Sequence, residues 1–213
     1  MQAERYYGKK PFGKYRKVFS CFAIAFLCKA CYNRGMRYVD LYEKNAKFIE
    51  RRPALKKLVL PFNRYLPYLF LVFYAGFFVY IAFSKKAFQQ DLAYFVFLPL
   101  CTLITVSALR IFIARPRPYS EKGAGITPMI EKKGSEYGSF PSRHIACAQA
   151  IAMAFFPFSL PIALFLQLAA ILLAYLRFSV GVHYFWDLVA GHALPWVIYF
   201  FYTVVMAVRL ILA

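Results

Sequence analysis

The run "IACAQAIAMAFFPFSLPIALFLQLAAILLAYL", residues 145–176, limits the fold most: it holds 32 residues and no charge. A transmembrane helix uses roughly 17–25 apolar residues, so this run is too long for a single helix. Its middle supplies the break. Pro157 and Pro161 stand four apart, and proline has no backbone N–H to continue a helix. The run predicts a hairpin of two helices, over about 145–157 and 161–176. Three further uncharged runs lie at 65–83, 92–109 and 188–208, the last with His192 inside. Each is apolar on all sides rather than along one stripe, the pattern of a lipid-surrounded helix. The expected fold class is all-α: an integral membrane helical bundle of five or six transmembrane helices.

Charge divides the chain. Residues 1–64 hold 16 of the 27 Lys and Arg against four acids, within a net charge of +18. A basic segment beside a membrane is drawn to anionic headgroups, so membrane lipids are expected partners. Nucleic acid is not, because no nucleic-acid-binding motif accompanies the charge. Within this segment, residues 18–32 form a short apolar patch broken by Lys29. As a helix it reaches about 22 Å, short of a hydrocarbon core of about 30 Å. It either lies at the interface or spans with its lysines snorkelling, and this sets the choice between five helices and six. Residues 36–64 space Val39, Leu41, Phe48, Ile49, Leu55 and Leu58 among charges, which predicts an interfacial amphipathic helix interrupted near Pro53. The chain is thus read as a basic amino-terminal segment, 1–64, and a transmembrane domain, 65–213. The five cysteines, Cys21, Cys28, Cys31, Cys101 and Cys147, are read as packing residues, since a lone CxxC with no second pair makes a poor metal site. No small-residue cleavage site follows the first apolar patch, so no secretory signal peptide is expected.

A hairpin returns the chain to the side it left. Arg143 and His144 at its start and Arg177 just past its end therefore share a membrane face. Arg110 closes the run 92–109, the Gly- and Pro-bearing loop 111–142 leads to His144, and Asp187 precedes the run 188–208. One face thus collects Arg110, Arg115, Arg117, Ser142, Arg143, His144, Arg177, His183 and Asp187. Guanidinium forks match phosphate oxygens. His183 with Asp187 four residues on can be held in one tautomer and made a nucleophile. A second His can protonate a leaving group. No cluster of metal-ligand side chains is evident, and neither a metal nor a cofactor is expected. The chemistry implied is phosphoryl transfer through a phosphohistidine. Arg115 is as compatible with a headgroup contact as with the site, and His192 reads as a helix-packing residue.

The spacing resembles that of a known family. Arg110 is followed after six residues by Arg117-Pro118, then come Pro141-Ser142-Arg143-His144, then Arg177, five residues, His183, three residues, Asp187. This is similar to the three-part signature of the type 2 phosphatidic acid phosphatase superfamily: Lys-x6-Arg-Pro, Pro-Ser-Gly-His and Ser-Arg-x5-His-x3-Asp. The resemblance covers residues about 65–205. Arg110 stands for the lysine, Arg143 for the glycine and Leu176 for the serine. The resemblance implies that His183 attacks phosphorus, that Asp187 orients it, and that His144 protonates the leaving group and later activates water. It implies that Arg110, Arg117 and Arg177 clamp the phosphate oxygens, with Ser142 and the backbone N–H groups of Arg143 and His144 as further donors. A site at headgroup depth suits a lipid phosphate: phosphatidate, phosphatidylglycerol phosphate, or an isoprenoid diphosphate such as undecaprenyl diphosphate. The alternative is a lipid-linked phosphotransferase using the same phosphohistidine. The expected location is the cell membrane, multi-pass, with the active site on the outer face as in bacterial members the chain resembles.

Overall fold

The computed structural model describes residues 35–83, 89–120, 122–130 and 135–212. The apolar patch 18–32 and Cys21, Cys28 and Cys31 lie outside the described residues. Six helices run in order among those described: α1 (Gly35–Glu50), α2 (Pro53–Phe83), α3 (Gln89–Ile113), α4 (Arg143–Ala154), α5 (Leu160–Ser179) and α6 (Phe185–Leu212). Among the described residues the only extended pairing is an isolated bridge between Pro116 and Tyr137. The all-helical class expected from the sequence is what the chain adopts.

Among the described residues, four segments are long and apolar enough to cross a membrane: Pro53–Phe83, Leu92–Ile113, Leu160–Ser179 and Phe185–Leu212. Most of their large apolar side chains, such as Val72, Ile104, Phe165, Leu168 and Phe200, face outward. Lipid, not protein, is their solvent. α2 has 31 residues, about 46 Å of helix. That exceeds a hydrocarbon core, and its first turns carry Lys56, Lys57 and Arg64 outside it.

The hairpin over 145–176 forms, with unequal arms. α4 has only 12 residues, about 18 Å, and ends at Ala154 rather than near Pro157. The chain tightens there: Phe155 N–H donates to Ala152 O at 3.3 Å and Phe158 N–H to Phe155 O at 3.0 Å. α5 then starts with Ser159 as N-cap and Pro161 in its first turn, where the missing N–H costs nothing. α4 can be short because it touches little lipid. Nine of its residues are buried, five of them alanines, and it packs against α3, α5 and α6. Small side chains let helices approach closely, which matters in lipid, where apolar burial alone does not drive association.

Rings fill the end of the bundle away from the charged face. Tyr74 stacks on Phe95 at 4.5 Å between centroids, and Phe77 meets Phe155 at 4.6 Å. Tyr94 donates its hydroxyl to Met153 O at 3.2 Å. These contacts put the start of α3 beside the hairpin turn and send its other end to the charged face.

Candidate active site

Arg110 lies in the last turn of α3. The helix ends where Ala114 adopts a positive φ of 44°, a left-handed conformation that costs an L-residue roughly 1–2 kcal/mol. The turn there aims Arg115, Pro116 and Arg117 back across the face. The loop then folds on itself. Arg117 N–H donates to Glu136 O at 2.8 Å and Ser139 N–H to Arg115 O at 2.9 Å. This pairing carries Ser139 to the start of α6.

Asp187 sits in the first turn of α6 with no exposed surface. Its carboxylate is held from three sides. Arg115 Nη1 donates to Oδ1 at 2.8 Å, the Ser139 hydroxyl donates to Oδ2, and Tyr184 N–H donates to Oδ2 at 3.0 Å. The Arg115 guanidinium also lies 4.3 Å from the Tyr184 ring centroid. His183 Nδ1 is 3.7 Å from Asp187 Oδ2, beyond hydrogen-bond length, and 3.5 Å from Ser139 Oγ. With its own proton given to Asp187, Ser139 Oγ can accept only from Nδ1–H. That tautomer leaves the lone pair on Nε2. His183 is 1% exposed. Burial pushes its pKa down to about 4, with Arg117 and Arg177 adding to the fall and Asp187 opposing it. Burial thus favours the neutral imidazole at ordinary pH, the form that nucleophilic attack would need.

The start of α4 faces the same centre. Ser142 N–H donates to Asp187 O at 2.9 Å, which ties the first turns of α4 and α6 together. Gly191, one turn further along α6, permits this contact: a Cβ there would lie 3.0 Å from Ser142 O and 3.1 Å from Ile145 Cβ. Ser142 is the N-cap of α4, yet its side chain caps nothing, and its buried Oγ has no partner. The first N–H groups of a helix have no intrahelical acceptor, so those of Arg143 and His144 open an anion-favouring end. The Arg143 side chain is exposed. The His144 imidazole is pushed down to about 3, first by burial, then by the charges of Arg177, His183, Arg143 and Arg110.

Three arginines approach this centre from different elements. Arg110 Nη1 donates to Pro141 O at 3.3 Å, and its Nη2 would lie 3.3 Å from a Cβ on Gly138, whose φ is +76°. Arg117 and Arg177 each bury an Nε without a partner, and their charges bear on one another. Two guanidiniums held together with unpaired donors repel, and the arrangement suits an anion that neutralises both.

Every residue singled out in the sequence for the site lies on this face. Sequence reasoning missed Ser139 and underrated Arg115. It also missed Tyr38 of α1, whose hydroxyl donates to His183 O at 3.2 Å. Nothing local to these residues marks them; each matters through a partner more than 40 positions away in the chain. His192 does pack between helices, with Nδ1 2.8 Å from Gln149 Oε1. Among the described residues, no three His, Cys, Asp or Glu side chains group closely enough to hold a metal ion.

Residues 91–210 match the family model described as the PAP2 superfamily. Two solved structures share the fold. LpxE of Aquifex aeolicus is 22% identical with a TM-score of 0.56, over 74% of this chain and 88% of its own. A phosphatidylglycerolphosphate phosphatase of Bacillus subtilis, described as the first transmembrane PAP2-type one, is 21% identical with a TM-score of 0.56, over 88% of this chain and 94% of its own. No curated protein matches the chain.

Proposed function

The chain belongs to the PAP2 superfamily, and on that premise we propose that it hydrolyses a lipid phosphomonoester or diphosphate through a phosphohistidine on His183. The observation that carries this reading is the set of buried, unpartnered donors, Arg117 Nε, Arg177 Nε and Ser142 Oγ, beside a neutral imidazole backed by a held carboxylate.

In the first step His183 Nε2 attacks phosphorus. The N–P bond forms as the P–O bond to the lipid alcohol, or to the terminal bridging oxygen of a diphosphate, breaks. The leaving oxygen takes a proton from His144, which has received it from the protonated phosphate of the bound substrate. The imidazolium that develops on His183 is balanced by Asp187. Arg110, Arg117 and Arg177, with Ser142 Oγ and the N–H groups of Arg143 and His144, hold the equatorial oxygens, where charge is spread in the transition state. In the second step His144 takes a proton from water, the hydroxide attacks phosphorus, and the N–P bond breaks to release phosphate and neutral His183.

Depth supports a lipid substrate. The site lies at the ends of helices long and apolar enough to span a membrane, which would put it at the headgroup level, so a tail could stay in the bilayer while its phosphate meets the arginines. Phosphatidate, phosphatidylglycerol phosphate and undecaprenyl diphosphate all satisfy this. The outer membrane face is proposed for the site. Six basic residues ahead of Val18 favour an inward amino terminus with 18–32 as a sixth span.

The test is phosphate release from each of these three lipids by purified protein in detergent, with EDTA present. Release that survives EDTA and disappears in His183→Ala supports the mechanism. Release that EDTA stops, or that His183→Ala retains, would overturn it.

A further inference from the structure

We infer that α1 is a membrane-surface strap: a cationic cleft at its carboxyl-terminal end takes the headgroup phosphate of an anionic phospholipid, and its inner face thereby steadies the loop that carries His183. The catalytic consequence rests on the proposed role of His183; the lipid site does not.

The inner face is built from Tyr38, Tyr42, Asn45 and Ile49, spaced along one side of the helix. Tyr38, Tyr42 and Ile49 are buried. Tyr38 donates to His183 O, and its ring lies 4.8 Å from that of Tyr184 and 5.7 Å from that of Phe178. The Tyr42 hydroxyl donates to Thr127 O at 2.7 Å, and its ring closes over Gly181, where a Cβ would lie 2.9 Å from it. Asn45 Nδ2 donates to Ser179 Oγ at 2.9 Å. The segment from Phe178 to Tyr184 is thus gripped at both ends and in the middle by one helix. α1 lies outside the residues matched to the family model.

The outer side is different. Lys44, Lys47, Phe48, Arg51 and Arg52 line a cleft. The Arg52 guanidinium lies 3.8 Å from the Phe48 ring centroid. Glu43 reaches Lys47 at 3.4 Å on the exposed surface, but no carboxylate stands among the residues that line the cleft with its four cations. Residues 1–34 do not supply the missing charge, since they hold eight Lys and Arg and a single acid, Glu4. Leu41 and Phe48 on this helix, and Leu58 and Phe62 on the start of α2, are exposed. α2 enters the bilayer directly afterwards. A cationic cleft rimmed by apolar side chains where a spanning helix leaves the membrane meets lipid headgroups, and anionic ones complement it. One rigid helix bears both the cleft and Tyr38, so anchoring its outer side restrains its inner side. Tyr38 is in this sense a positioning residue.

The test uses the full chain. Native mass spectrometry of detergent-purified protein reads bound phosphatidylglycerol against phosphatidylcholine, with inorganic phosphate as a competitor. Wild type should retain phosphatidylglycerol preferentially, and K44Q/K47Q/R51Q/R52Q should lose most of that preference. Displacement of the lipid by inorganic phosphate alone, or an unchanged preference in the variant, would overturn the lipid site. In nanodiscs, adding phosphatidylglycerol to phosphatidylcholine should raise wild-type turnover several-fold and leave the charge variant unresponsive. Tyr38→Phe, which keeps the ring, should lower kcat several-fold with KM unchanged and keep the lipid adduct. An effect on KM alone, or none, would overturn the positioning role. Should the chain release no phosphate at all, the adduct experiment still decides the lipid site on its own.

Discussion

Removing the Arg115 guanidinium would leave the fully buried Asp187 carboxylate with Ser139 and the Tyr184 N–H as its donors. Breaking a buried ion pair by truncating one partner costs about 3–5 kcal/mol. Arg115→Met should therefore lower the thermal midpoint by several degrees and reduce kcat, both measurable in detergent. Ser142→Ala should behave the other way. An N-cap serine usually contributes about 1 kcal/mol to stability, but this one caps nothing, so the midpoint should hardly move. Loss of a hydrogen bond to a charged group, about 1.5–3 kcal/mol, should still lower kcat/KM by roughly one to two orders of magnitude. The two histidines set a pH profile. His183, near 4, is unprotonated from pH 5 upward. His144, near 3, carries no proton in the free enzyme, so the proton for the leaving group must arrive with a substrate whose second phosphate pKa is about 6. For a phosphomonoester, kcat/KM should be flat between about pH 5 and 6, fall below about 4 as His183 is protonated, and fall tenfold per unit above about 6. A rising limb across pH 6–7 would refute this. Stability has a matching sign. Both pKa values lie below that of an unfolded histidine, about 6.5. The unfolded chain thus binds more protons, and stability is lost as pH falls from about 6.5 towards 4.

At the scale of elements, the site depends on how closely α4 and α6 start together. Gly191→Ala places a methyl 3.0 Å from the Ser142 carbonyl, a backbone atom that has little room to move. The bond from Ser142 N–H to Asp187 O should lengthen, and activity should fall by more than stability, as read by kcat/KM beside a thermal melt. α4 was legible in the sequence as one arm of a hairpin, because two prolines in an uncharged run allow little else. Its shortness was not. That follows from α4 being enclosed by α3, α5 and α6, a condition of packing that no local pattern in "RHIACAQAIAMA" announces. The role of α1 was only half legible. Its amphipathic spacing was visible, but an apolar stripe does not say whether it meets lipid or protein. Tyr38 and Tyr42 meet the His183 loop.

For the whole molecule, α2 to α6 run alternately up and down, so the loop between α3 and α4 and the end of α6 lie on opposite faces. Single cysteines at Lys122 and Arg209, in a chain otherwise free of reactive cysteine, should label from opposite sides of sealed vesicles. Labelling of both from one side would contradict the arrangement. What the sequence determined by itself was the fold class and the gathering of its charged groups on one face. Uncharged runs of membrane length leave helices as the economical way to satisfy backbone groups in lipid, and charged residues at their ends must gather where water and headgroups are. The spacing of Arg110, Arg117, Ser142, His144, Arg177, His183 and Asp187 then carried the family resemblance. What only the tertiary structure decided was the support behind those groups. Arg115 and Ser139 reach Asp187 because the loop 114–142 doubles back on itself, and Tyr38 reaches His183 across 145 positions. Contacts of that range depend on where backbone segments cross in space, and neither periodicity nor motif spacing encodes a crossing point.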